Sequence, residues 1–298
     1  MKKLSILLLL CLFIACSKKQ ETGNTTGDSN TKISGNSSDS KTNTNESIKD
    51  PKITNARVIG AFTGGFKASV YDQTKDYVYE NRITIFIDST NKNIINGHSV
   101  VAGNNRPFTG TIKLDGKLYM AEVSEPGDDK YDGKFSFSVD PAIGLLQGTW
   151  KANDNKLDVT ERSYLLYKKE FKYDAANDLP EEVKWAELYD KNPKFPDKFE
   201  SLTGDVTKLN ASLKELSKKD VENLYKGDLE IIRNAIYARH GYSFKSRKIR
   251  FIFDQYVPWY MPVSTDVRND LTEIEKNNID LIKRYEEHAE KYYDEYGR

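Results

Sequence analysis

Two stretches of strict alternation constrain the fold of this chain more than any other feature. Ile83, Ile85 and Ile87 alternate with Thr84, Phe86 and Asp88, and Phe135, Phe137 and Val139 alternate with Ser136, Ser138 and Asp140. Successive side chains on a strand point to opposite faces, so the pattern predicts strands with one apolar face and one largely polar face. Turn residues punctuate the same region: Asn91-Lys92-Asn93, Gly103-Asn104-Asn105, Asp115-Gly116, Asp132-Gly133 and Asn153-Asp154-Asn155. Asp-Gly pairs favour tight hairpin turns, which need positive φ. About eight short strands without intervening helices point to an antiparallel barrel or sandwich over residues 53–173.

An up-and-down barrel similar to the lipocalin-like folds is the first expectation for that region. Phe108, Tyr119, Trp150 and Tyr167 could then line a cavity for a small apolar ligand. Barrels of this size more often fill their interiors with side chains. Three motifs here fall short of chemistry. Gly97-His98-Ser99-Val100-Val101 has valine where the nucleophile elbow needs its second glycine. Asp128, Asp132 and Gly133 match part of a calcium loop, but Lys130 and Val139 stand at ligand positions. Gly60 to Gly65 has phosphate-loop spacing with Phe66 in place of the lysine.

The N-terminus addresses the chain to a membrane. Lys2 and Lys3 precede an apolar run from Leu4 to Ala15 broken only by Ser5, the layout of a secretory signal peptide. The run is too short to span a bilayer, which needs about 20 residues. Phe13-Ile14-Ala15-Cys16 resembles the lipobox of bacterial lipoproteins, with phenylalanine where leucine is usual. The resemblance implies that residues 1–15 are removed and that Cys16 is lipidated, by palmitate among other chains, which places the protein in the cell envelope, at the bacterial outer membrane. Cys11 and Cys16 are the only cysteines, so the mature chain would have no disulfide, cysteine metal site or cysteine nucleophile. Residues 16–52 form the expected tether, rich in Ser, Thr, Asn, Gly, Lys and Asp, with Ile33 and Ile48 its only large apolar residues. Such a segment cannot offset its ordering entropy and has an r.m.s. reach on the order of 30 Å. Lys plus Arg and Asp plus Glu are both 45, so no net field favours nucleic acid. No cofactor is expected.

Residues 174–212 read as a connector. Leu179-Pro180-Glu181-Glu182 opens a short helix that would place Trp185, Leu188 and Tyr189 on one face, packed on the barrel, before Asn192-Pro193 and Phe195-Pro196 end it. Residues 213–298 are helical with explicit caps. Ser217 and Asp220 form one start, with Leu216 and Val221 as its apolar staple. A second helix from near Asp228 ends at Gly241, with Tyr242 folding back on Tyr237. A third runs from Ser246 to Tyr256, and Thr272-Glu273-Ile274-Glu275 opens the last, which continues into a charged tail.

Within this region Arg233-Asn234-Ala235-Ile236-Tyr237-Ala238-Arg239-His240-Gly241-Tyr242-Ser243-Phe244 resembles the signature of the YARHG domain. Trp259-Tyr260-Met261-Pro262 and the block from Leu271 to Ile279 are similar to its later parts, so the resemblance covers Leu216 to Tyr285. It implies an extracellular bacterial helical module without an assigned activity. The fold class is therefore α+β, a β-barrel-like domain followed by a small all-α domain.

The residues that stand out are Arg233, Asn234, Tyr237, Arg239, His240, Gly241, Trp259 and Glu275. Arg239 and His240 can satisfy terminal carbonyls, and Arg233 or Arg239 can pair with Glu275 or Asp280. Alternatively His240 is a general base oriented by Glu275, with Arg239 binding an anion, in a hydrolase of envelope polymers. A lone histidine without a nucleophile is more often structural. Lys245, Arg247, Lys248 and Arg250 could attract an anionic polymer, but residues 210–298 hold sixteen acidic and sixteen basic side chains, so a solvated face is expected. The leading expectation is a lipid-anchored, non-catalytic binding or interaction module, with an envelope glycan or a protein as partner. A hydrolase and a carrier of small apolar ligands are the alternatives.

Overall fold

A computed structural model describes residues 57–189 and 199–293. The signal sequence, Cys16, the tether and the Asn192-Pro193 and Phe195-Pro196 pairs lie outside the described residues. Eight strands, β1 (Gly60–Tyr71), β2 (Glu80–Asn91), β3 (Ile94–Val101), β4 (Asn104–Asp115), β5 (Leu118–Ser124), β6 (Gly133–Asp140), β7 (Leu145–Ala152) and β8 (Val159–Lys168), form a closed up-and-down antiparallel barrel. Pairing of β1 with β8, Phe62 opposite Lys168 and Phe66 opposite Tyr164, closes it, which leaves no sheet edge and rules out the sandwich.

The alternating residues point inward as expected. Ile83, Ile85, Ile87, Phe135, Phe137 and Val139 are all buried, with Phe62, Leu146 and Leu166 between them. Phe108, Tyr119 and Trp150 belong to the same packed interior, whereas Tyr167 points outward and is 59% exposed. Gly97 sits opposite Phe108 across β3 and β4. A Cβ there would lie 2.5 Å from the Phe108 ring, so the glycine of the elbow-like motif makes room for core packing. The turns at Lys92, Ala102-Gly103 and Gly116 take positive φ. Asp132-Gly133 is not a hairpin turn: Gly133 starts β6, and Asp132 organises the loop before it.

The C-terminal part holds α1 (Lys218–Val221), α2 (Lys226–Arg239), α3 (Arg247–Tyr256) and α4 (Glu273–Tyr292). α1 is a single turn, opened by the Ser217 N–H donating to Asp220. Thr272 and Glu275 form the expected capping box of α4. Among the described residues no helix is long and apolar enough to cross a membrane.

The connector departs from expectation. Glu181–Trp185 is one 3-10 turn, and the chain then runs into the short strand β9 (Glu187–Tyr189), paired with β10 (Phe199–Ser201). Leu179, Val183, Ala186 and Leu188 join the hydrophobic core of the helices instead of the barrel's. Burial against α3 decides this, because helical periodicity is a weak preference that tertiary contacts override.

The helices close over the barrel. The Arg82 guanidinium at the start of β2 donates to the carbonyls of Asp254, Val257 and Tyr260. The Gly103 N–H donates to Ser243 Oγ, and Gln255 donates to the carbonyl of Glu80. Thr84, on the outward face of β2, is consequently 0% exposed, although its polar character suggested solvent.

Candidate functional site

α2 ends in a Schellman motif: the Tyr242 N–H donates to the Tyr237 carbonyl and the Gly241 N–H to that of Ala238. Gly241 takes φ +74°, a conformation that favours glycine. This ending turns His240 inward, where Nε2 lies 2.8 Å from Glu275 Oε2. Tyr173, at the exit from the barrel, stacks on the imidazole at 4.3 Å and 21°, and its hydroxyl donates to Glu275 Oε1. Glu275 also receives the N–H and hydroxyl of Thr272, so one carboxylate both caps α4 and anchors the α2 terminus. Burial would raise its pKa, but bonds from His240, Ser212 and Thr272 outweigh that and hold it at about 2. Burial, with the negative charge of Glu275, pushes the Tyr173 hydroxyl up to about 12.

His240 and Glu275 are therefore within hydrogen-bond reach, as a general base and its orienter would be. Yet His240 is 7% and Glu275 0% exposed, and both Glu275 oxygens already accept hydrogen bonds. Arg239, 2% exposed, donates to the Asn177 carbonyl and to Ser212 Oγ, and its guanidinium lies 5.8 Å from the Trp259 ring. Trp259 Nε1 donates to the carbonyl of Asp178. Arg239 and Trp259 thus hold the connector, and Arg239 is not placed to take an anion. Arg233 makes a two-pronged bond to Glu286, neither Glu275 nor Asp280. Asn234 donates back to the Glu230 carbonyl. Tyr237 packs on Tyr242, and with Arg233 and Asn234 it lines a shallow cavity of about 450 Å³ away from His240.

The basic run is not a solvated face. Arg247 pairs with Asp76 and donates to the carbonyls of Asp76 and Tyr77; Lys248 pairs with Glu230; Arg250 donates to the Lys245 carbonyl. Three residues of this run, Lys245, Arg247 and Arg250, reach a site that sequence reasoning did not find. One mouth of the barrel and the first turn of α3 line an open chamber of about 840 Å³. Its floor is Phe66, Phe135 and Trp150, and its walls carry Asn81, Ser99, Arg106, Glu125, Asp132, Arg162, Arg247 and Arg250.

Five of the chamber's polar side chains, Asn81, Ser99, Glu125, Asp132 and Arg162, are buried, while Asp76, Asp129, Lys130, Lys156, Asp158 and Lys245 of the same lining are exposed. Glu125, 7% exposed, accepts from Ser99 Oγ, the Gly133 N–H and Trp150 Nε1, yet burial outweighs these bonds and raises it to about 7. Ser99 of the elbow-like motif is thus a donor to a carboxylate. Asp132, 0% exposed, accepts the N–H groups of Gly127, Asp128 and Asp129, and pairs with Arg106. Arg106 also pairs with Asp128, so the calcium-like loop is closed by a guanidinium. Burial opposes ionisation of Asp132, but these donors hold its carboxyl below the usual range. Among the described residues no group of three or more His, Cys, Asp or Glu is placed to hold a metal.

Sequence offered little signal for the chamber, because its lining comes from segments as distant as Phe66 and Arg250. No curated protein matches the chain. The family model of the YARHG domain matches residues 205–287, beginning earlier than the signature alone and taking in the connector residues Val206, Ala211 and Ser212, so the C-terminal helical region carries a YARHG domain.

Proposed function

We propose that this chain is a lipid-anchored, non-catalytic binding module of the bacterial cell envelope, held by Cys16 at the outer membrane while its barrel and YARHG domain act together on one ligand. The observation that carries the reading is the chamber, which barrel and helices build jointly. Pockets of about 300–1,000 Å³ with an apolar floor and a few convergent polar groups are typical of ligand sites. The signature residues, by contrast, serve packing: His240, Glu275, Arg239 and Trp259 fix the helices to the connector. An envelope hydrolase based on His240 and Glu275 would need water and substrate at a pair that the fold closes off. The lipobox-like sequence supplies the anchor, and tethering raises the local concentration of the site near one surface.

The test is a pull-down with the full chain from envelope fractions, with peptidoglycan, lipid and protein partners resolved separately. Retention of a fraction that is lost when Phe66→Trp fills the chamber supports the reading. Turnover of an envelope polymer that disappears in a folded Glu275→Gln variant would overturn it.

A further inference from the structure

The chamber has an unequal distribution of satisfied and unsatisfied groups. Arg106 is neutralised by Asp132 and Asp128, and Arg247 by Asp76. Arg162 and Arg250 are different. Arg162, 8% exposed, donates only to main-chain carbonyls, those of Phe66, Val78 and Tyr79. Arg250 donates to the Lys245 carbonyl, and its buried Nε has no hydrogen-bond partner among the described residues. Carbonyl dipoles orient a guanidinium but leave its charge in place, and an uncompensated buried charge is costly.

Both guanidinium groups line the same chamber. Burial, and then the charge of Arg250, lowers the Arg162 pKa to about 10. The nearby acids compensate poorly. Burial raises Glu125 to about 7, and it raises Asp254, one turn beyond Arg250 on α3, to about 7 as well. A third orphan stands beside them: Asn81, 6% exposed, lines the chamber with an Oδ1 that accepts nothing. A buried amide oxygen without a donor is unfavourable, so a group that supplies one is bound at an advantage.

Resting on the binding-module reading and deepening it, we propose that the chamber is a site for a small organic anion. Arg162 and Arg250 take its carboxylate or phosphate, Asn81 Oδ1 accepts an O–H or N–H from it, and the floor of Phe66, Phe135 and Trp150 carries its ring or apolar body. The Arg162 guanidinium already lies 5.2 Å from the Phe66 ring, which places the charge directly over that floor. This assigns recognition to an anionic head and one donor together, at the barrel mouth against the Phe66, Phe135 and Trp150 edge of the barrel core.

The test is isothermal titration of the full chain with charge-matched pairs. N-acetyltyrosine against N-acetyltyrosinamide probes a carboxylate, and glucose 6-phosphate against glucose probes a phosphate. In at least one pair the anion binds at least about tenfold more tightly than its neutral partner, the scale of charge-assisted hydrogen bonds. Arg250→Gln abolishes that preference, Arg250→Lys retains part of it, and Asn81→Asp, which sets a carboxylate at the orphan oxygen, weakens the anion further; circular dichroism confirms that each variant is folded. Neutral and anionic members binding equally, or a preference that survives Arg250→Gln, would overturn the anion site while leaving the pull-down result standing. Binding by no member of either pair also overturns it, and the pull-down then separately decides the binding-module reading.

Discussion

Replacing Gly241 with alanine tests how tightly the signature turn is built into the molecule. Two costs add. Gly241 has φ +74°, where a Cβ costs about 1 kcal/mol. That Cβ would also lie 2.4 Å from Val263 Cγ2 and 2.8 Å from Phe171 Cε2. Overpacking of this kind costs about 1–3 kcal/mol, so the expected loss is about 2–4 kcal/mol. Gly116 provides the control, since its φ is +61° and nothing lies within 4 Å of its Cβ position. Gly116→Ala should lose only the conformational part, about 1 kcal/mol. In urea unfolding with a slope near 2 kcal/mol/M, the midpoint falls by about 1–2 M for Gly241→Ala and about 0.5 M for Gly116→Ala. Equal shifts for the two variants would refute the claim that Gly241 is fixed by contact with Phe171 and Val263.

Further outcomes follow from the buried carboxylates and the loop clamp. Glu275 is held at about 2, below its ordinary 4.5. Its contribution is complete above pH 4.5 and lost as pH falls toward 2, so the urea midpoint of the wild type drops across that window and that of Glu275→Gln drops less. Glu125 is raised from 4.5 to about 7, so it stabilises the fold below pH 4.5 and loses that effect as pH rises through 7. Glu125→Gln should flatten the midpoint between pH 5 and 8, measured in the same titration. Arg106→Met leaves Asp132 buried without its cation and should destabilise by about 3 kcal/mol, seen as a lower thermal midpoint.

The local grammar of the fold was legible in the sequence. Period two at Ile83 to Ile87 and Phe135 to Val139 placed the barrel strands, and Thr272 with Glu275, Ser246 and Gly241 placed helix ends. What failed did so through tertiary contact. Leu179 and Leu188 look alike whether they face a barrel or a helix bundle, and α3 decides between them. Thr84 reads as a solvent-facing residue until α3 covers β2. His240 and Glu275 do meet, but their burial and the stacking of Tyr173 on the imidazole cannot be read from either segment. Arg162 and Arg250 carry no motif at all; they acquire meaning because their neighbours across the barrel mouth supply carbonyls and not carboxylates.

Native mass spectrometry of the full chain after exposure to an envelope extract tests the central claim most directly. A small-molecule adduct should appear on the wild type, persist in Glu275→Gln and vanish in the Asn81→Asp, Arg250→Gln double variant. An adduct lost with Glu275→Gln but retained by the folded double variant, or no adduct on the wild type, would contradict a binding module whose ligand site is the barrel mouth.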